Sequence, residues 1–218
     1  MCGRYTLTAD TAQVMARFGL EHAEAPLVPR YNIAPAQPAA IVLNTASNTL
    51  SIAQWGLIPP WQDQGRPANR LINARVETLT QKPTFRRLLG QRCLVLADGF
   101  YEWRRLPNGT KQPLRFVLAS GALFAMAGLW DTYTSPDGQT MRTFVILTTV
   151  PNALVAAIHN RMPVILPRES ESDWLTGGHP DLDALRRPFP SDQMIAYPVS
   201  PRVNSVKYDD PSLVRPTG

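Results

Sequence analysis

CLVLADGFYEWRRLPNGTKQPLRFVLASGALFAMAGLWDTYTSPDGQTMRTFVILT, residues 93–148, is the stretch that decides the fold. Four short apolar or alternating runs lie in it: Cys93 to Ala97, Leu114 to Leu118, Ala122 to Leu129 and Thr143 to Thr148. All are of strand length and too short for an ordinary helix. Pro107-Asn108-Gly109 and Pro136-Asp137-Gly138 fall between them, and these residues suit tight chain reversals. A β-rich centre is expected. Upstream, Ala39 to Leu43 and Leu50 to Trp55 predict two more strands, joined by a polar turn around Ser47 and Asn48 and followed by the Pro-rich loop Ile58 to Trp61. Thr8 to Leu20 predicts an amphipathic helix, with Val14, Met15 and Phe18 near one face and Asp10 or Thr8 as N-cap. Pro151 to Ile158 predicts a short helix with Pro at its start, and Glu169 to Leu175 and Asp181 to Leu185 are further helical segments. Strands and helices do not alternate regularly, so the predicted class is α+β: a mixed or antiparallel sheet core with surrounding helices. One domain over residues 1–218 is expected, with about 211–218 as a tail.

A chain of 218 residues, 44% hydrophobic, can bury a sizeable core and is not disordered by composition. No apolar run approaches the roughly 18 residues of a membrane span, and the first residues lack the layout of a secretory signal. The expectation is a soluble protein of the bacterial cytoplasm, a monomer in solution. Cysteine occurs only at positions 2 and 93, which gives neither a disulfide framework nor metal-ligand spacing, so no metal and no cofactor are expected. The net charge of +5 favours a polyanionic partner. The basic residues are 19 Arg and 3 Lys, which suits bidentate phosphate recognition, although GC-rich coding gives the same bias.

Cys2 carries the first chemical reading. A small second residue normally lets an aminopeptidase remove Met1, leaving a cysteine with a free α-amine. Such a 1,2-aminothiol sets an amine of pKa about 7.7–8.0 beside a thiol of about 8.5. Its natural target is an aldehyde: the amine forms an imine, and the thiol adds to close a thiazolidine.

Six blocks surround this residue: MCGRY (1–5), YNIAPAQ (31–37), WGLIPPW (55–61), NARVET (73–78), DGFYEW (98–103) and HNRMP (159–163). Together, and in this order, they resemble the signature blocks of the SRAP family, whose members crosslink to abasic sites in single-stranded DNA. The resemblance extends to about residue 210. It implies a partly barrel-like sheet core, with the active site in a groove where the N-terminus emerges. It also implies covalent capture of the ring-opened abasic sugar by Cys2, the protein being nucleoid-associated when bound to DNA.

The same resemblance assigns roles to the other blocks. Asn73 would hold the linked sugar by hydrogen bonds, as an amide both donates and accepts; by itself it reads rather as a turn or cap residue. Glu102 would shuttle protons, its pKa raised by desolvation between Tyr101 and Trp103; alternatively it is a surface carboxylate paired with Arg104 or Arg105. His159 would assist opening of the sugar ring, imidazole being suited to proton transfer near neutral pH; a structural cap is the other reading. Arg4, Arg75, Arg161 and Arg86 would bind phosphates without reading sequence. Trp61 and Trp103 would stack on bases, or else pack in the core.

Two other functions fit the same residues. One is an N-terminal-nucleophile cysteine peptidase using Cys2 with Glu102 and His159. The other is a non-catalytic single-strand binding module in which Cys2 is incidental.

Overall fold

The computed structural model describes residues 2–59 and 70–217. Its strands are β1 (Tyr5–Leu7), β2 (His22–Ala23), β3 (Arg30–Ile33), β4 (Pro38–Leu43), β5 (Ala46–Trp55), β6 (Asn73–Arg75), β7 (Arg92–Ala97), β8 (Gly99–Arg105), β9 (Lys111–Leu118), β10 (Phe124–Thr134), β11 (Thr140–Thr149), β12 (Met162–Pro163) and β13 (Met194–Pro198). Short helices α1 (Thr11–Phe18), α2 (Pro83–Arg86), α3 (Ala153–Ala156), α4 (Glu171–Thr176) and α5 (Leu182–Leu185) lie between them.

The larger sheet runs β12-β11-β10-β7-β4-β5-β2, with β6 alongside β11. Parallel pairing of β11 with β5, Thr143 opposite Gln54 and Phe144 opposite Trp55, joins the two sides of that path. Strands β5, β4, β7, β10 and β11 thereby close a ring, the barrel-like part of this α+β domain. The smaller sheet is antiparallel throughout, in the order β13-β9-β8-β1-β3. The deciding stretch is therefore shared: β7, β10 and β11 enter the larger sheet, while β8 and β9 cross to the smaller one.

Every residue of β7 is buried. Helix α4 covers it, with the Trp174 indole donating to the Cys93 carbonyl at 2.9 Å. Across the sheets, the Tyr5 ring of β1 meets the Trp55 ring of β5 edge-on, with centroids 5.2 Å apart. One contiguous apolar cluster includes residues of both sheets.

Local chemistry accounts for most boundaries. Asp10 caps α1 through a capping box with Gln13, and Gly19 ends it in the left-handed region at φ 65°. Thr8 is not the cap; its backbone N–H and its hydroxyl both donate to Asp98. Asn152, rather than Pro151, caps α3 by accepting from Val155 N–H at 2.9 Å. The expected turn at Ser47 and Asn48 is corrected: both lie within β5, and the reversal falls at Asn44-Thr45. There the Asn44 side-chain oxygen accepts from Arg92 N–H at 3.2 Å and from the Trp130 indole at 3.0 Å.

The segment from 211 to 217 does not form a loose tail. Pro211–Val214 is a 3-10 turn whose Leu213 is fully buried with Tyr101, Val199 and Val203. With Pro201–Asn204, another 3-10 turn, it makes a strap over the smaller sheet. Asn32 anchors that strap: its buried side-chain amide donates to the carbonyls of Val203, Ser205 and Tyr208, and its oxygen accepts from Arg4.

Candidate active site at the seam of two sheets

Cys2 leads directly into β1, which pairs with β8 in the register Tyr5 opposite Phe100 and Thr6 opposite Gly99. Towards the N-terminus the ladder continues, with Tyr101 N–H donating to the Arg4 carbonyl at 3.0 Å. The terminal residues therefore run alongside Glu102. Strand alternation puts Tyr101 and Glu102 on opposite faces. Tyr101 packs under the strap, and Glu102 is buried on the other side.

The larger sheet supplies the facing groups. Strand β6 pairs parallel with β11, Asn73 opposite Ile146, and the Asn73 side chain reaches across the seam to donate to the Cys2 carbonyl at 2.8 Å. His159 follows α3, and its Nδ1 accepts from the Arg161 N–H at 3.0 Å. The four residues given catalytic roles above thus come as two pairs, Cys2 and Glu102 from the smaller sheet and Asn73 and His159 from the side of the larger one.

The electrostatics follow from burial. Cys2 is fully buried, with its thiol near the Arg4 carbonyl at 3.7 Å. Burial first, and then the Glu102 charge, push the thiol pKa far up, so it is held as S–H. Burial likewise raises the Glu102 carboxyl above its ordinary 4.5, opposed by the positive amino-terminal charge and by His159. Two polar atoms here are buried without a hydrogen-bond partner among the described residues: the Asn73 side-chain oxygen and the Tyr5 hydroxyl. Such a group forfeits about 1–3 kcal/mol, which a ligand hydroxyl or amine recovers. Burial and the neighbouring Cys2 also raise the Tyr5 hydroxyl well above its ordinary 10. Tyr5 stands in the first sequence block, yet sequence reasoning gave it no role.

The proposed phosphate and base contacts are less gathered. Arg75 and Arg86 are exposed and have no ion pair among the described residues. Arg4 spends its guanidinium on Asn32 and on the carbonyls of Val203 and Asn204. Arg161 forms a bidentate pair with Glu77 at 2.7 and 2.9 Å. Trp103 shares the Tyr101 face of β8, packs against the strap cluster and donates to Asn204 at 2.7 Å, so the structure does not bring it to the face of Glu102. Trp61 lies outside the described residues. Of the alternative partners for Glu102, Arg104 bonds Gln112 instead. Cavities of about 510 and 470 Å³ lie elsewhere, around α1 and α4 and around Trp174 and His179.

Fold and seam define an α+β domain that sets a buried near-terminal cysteine against a carboxyl, an amide and an imidazole. The chain belongs to the SRAP family, described as SOS response associated peptidase, whose model matches residues 1–206. It is 43% identical over 221 residues to the abasic site processing protein YoqW of Bacillus subtilis, covering 98% of this chain and 99% of that one. It is 31% identical to the abasic site processing protein HMCES of Xenopus tropicalis, over 85% of this chain and 65% of that one. A crystal structure of a protein from Bacteroides thetaiotaomicron matches with a TM-score of 0.89 and 28% identity, covering 99% of this chain and 100% of that chain. Among the described residues, no helix is long and apolar enough to cross a membrane.

Proposed function

We propose that this protein processes abasic sites by capturing them covalently in single-stranded DNA through Cys2, in the cytoplasm and at the nucleoid. The observation that carries this reading is the 2.8 Å hydrogen bond from Asn73 to the Cys2 carbonyl, which fixes the reactive residue at the seam beside Glu102. After loss of Met1, the Cys2 amine attacks the C1' aldehyde of the ring-opened sugar. The resulting carbinolamine loses water to an imine, and the thiol then adds to the imine carbon while its proton passes to the nitrogen. The net change is aldehyde plus aminothiol to thiazolidine plus one water. The raised thiol pKa fits this order, with amine first and neutral S–H second. Glu102, buried and raised, suits the proton transfers, and the unfilled Asn73 oxygen suits a sugar hydroxyl. Arg75 and Arg86 offer exposed charge to the phosphates.

A peptidase working through Cys2 needs a thiolate, and the burial that pushes the thiol up opposes one. Denaturing gel electrophoresis tests the proposal, using single-stranded DNA with one abasic site beside undamaged and duplex controls. A heat-stable shifted band that needs both the lesion and Cys2 is expected. Its absence in folded protein lacking Met1, or its persistence in Cys2→Ala, overturns the reading; cleavage of a peptide substrate would favour the peptidase, and equal non-covalent binding to damaged and undamaged strands would favour a passive module.

A further inference from the structure

Glu77 lies in the 3-10 turn Val76–Thr78, directly after β6 and four residues beyond Asn73. Its carboxylate takes both terminal nitrogens of Arg161, at 2.7 and 2.9 Å. The same guanidinium donates to the Thr148 carbonyl at 2.5 Å, and Thr148 stands opposite Arg75 in the β6–β11 register. The Thr148 hydroxyl in turn donates to the Ala74 carbonyl at 3.4 Å. The Arg161 side chain is only 11% exposed and that of Glu77 35%, so the pair is partly shielded from solvent. Hydrogen bonding from Arg161 holds the Glu77 carboxyl below its ordinary 4.5, so it is ionised near neutral pH.

The main chain of Arg161 meanwhile holds the His159 ring. Its N–H lies 3.0 Å from Nδ1 and its carbonyl 3.2 Å from the same nitrogen. A neutral ring accepts from the N–H, and a ring protonated at Nδ1 can donate to the carbonyl. In either state Nδ1 is occupied by Arg161, and chemistry at the seam falls to Nε2. One arginine therefore connects the strand bearing Asn73 to the loop bearing His159.

We propose that Glu77 is a positioning residue: through Arg161 it fixes His159 relative to Asn73 and selects the Nε2–H form of the neutral imidazole. The proposal rests on the covalent-capture reading. It gives Arg161 a task other than phosphate contact, since both terminal nitrogens already have protein acceptors.

The test uses full-length protein labelled with 15N at histidine, of which the chain has 3, and the His159 signal is assigned by its loss in His159→Asn. Near neutral pH, ring-nitrogen spectra of the wild type are expected to show His159 protonated at Nε2 and accepting at Nδ1. Glu77→Ala should mix the two tautomers. Its crosslinking rate at saturating abasic DNA should fall about tenfold, as displacement of a reacting group does, while its affinity for an undamaged oligonucleotide weakens less than twofold. Glu77→Gln, which keeps one accepting oxygen, should recover part of the rate. A folded Glu77→Ala protein with the wild-type tautomer and rate overturns the proposal, as does a variant changed only in DNA affinity. If the wild type captures no abasic DNA, the covalent reading fails separately, and the spectra still decide whether Glu77 sets the ring.

Discussion

The barrel-like ring and the smaller sheet use burial in opposite ways. The ring is built from apolar residues such as Val95, Leu96, Phe144 and Ile146, all fully buried. The smaller sheet buries polar groups: Asp98 and Arg115 pair at 3.0 Å, Arg115 also bonds Thr6 and Tyr197, and Asn32 joins Arg4 to the strap. Apolar packing is non-directional and tolerant of volume-conserving change, whereas a buried polar network holds only with every partner in place. The first region supplies stability and the second fixes orientation. The candidate site lies where they meet.

The largest expected effect tests the ring as a scaffold. Phe144→Ala should destabilise the protein by about 3–5 kcal/mol in urea unfolding, while the crosslinking rate of the fraction still folded stays near that of the wild type. A large loss of rate in the folded fraction would break the division of labour. Asp98→Asn comes next, with about 3 kcal/mol expected from leaving the Arg115 charge buried and unpaired. Because Asp98 also receives the N–H and hydroxyl of Thr8, crosslinking should slow as well.

Glu102→Gln sharpens the comparison at the site. The crosslinking rate should drop about 100-fold, near 2.7 kcal/mol, as expected for loss of a general acid/base. Stability should move the other way. A carboxyl whose folded pKa is raised stabilises the fold below its ordinary 4.5, and that contribution is lost as pH rises through the raised value. Urea melts should therefore show the wild type losing stability relative to Glu102→Gln as pH climbs above 4.5. A flat difference would mean that Glu102 is not buried against its charge. The smallest effect belongs to Asp10→Ala, which removes the α1 cap at about 1 kcal/mol by thermal unfolding and leaves crosslinking unchanged.

Much of the ring was legible because Cys93 to Ala97 and Thr143 to Thr148 are apolar runs bounded by turn residues. The separate strand β8 was harder to read, since Asp98-Gly99 marks a transfer between sheets rather than a hairpin. Gly99 makes room for that transfer: a Cβ there would come within 2.7 Å of the Arg115 guanidinium, which would have to shift. Ser47 and Asn48 read as a turn because they are polar, but the outer end of β5 is exposed and tolerates them. At the site, resemblance singled out Cys2, Asn73, Glu102 and His159 one block at a time. Their supports, Glu77 and Asn32, depend on partners far away in sequence, which spacing and periodicity do not encode.

The bond from Arg4 to the Val203 carbonyl joins residues 199 positions apart. During synthesis the two leave the ribosome about 10–40 s apart at ordinary translation rates of roughly 5–20 residues per second. Cys2 is fully enclosed in the finished fold, so under the covalent-capture proposal an aminopeptidase acting just ahead of it would have that interval in which to work. On that reading folding and the removal of Met1 run against each other in time, and a chain that closes first would keep its α-amine one residue away from the thiol.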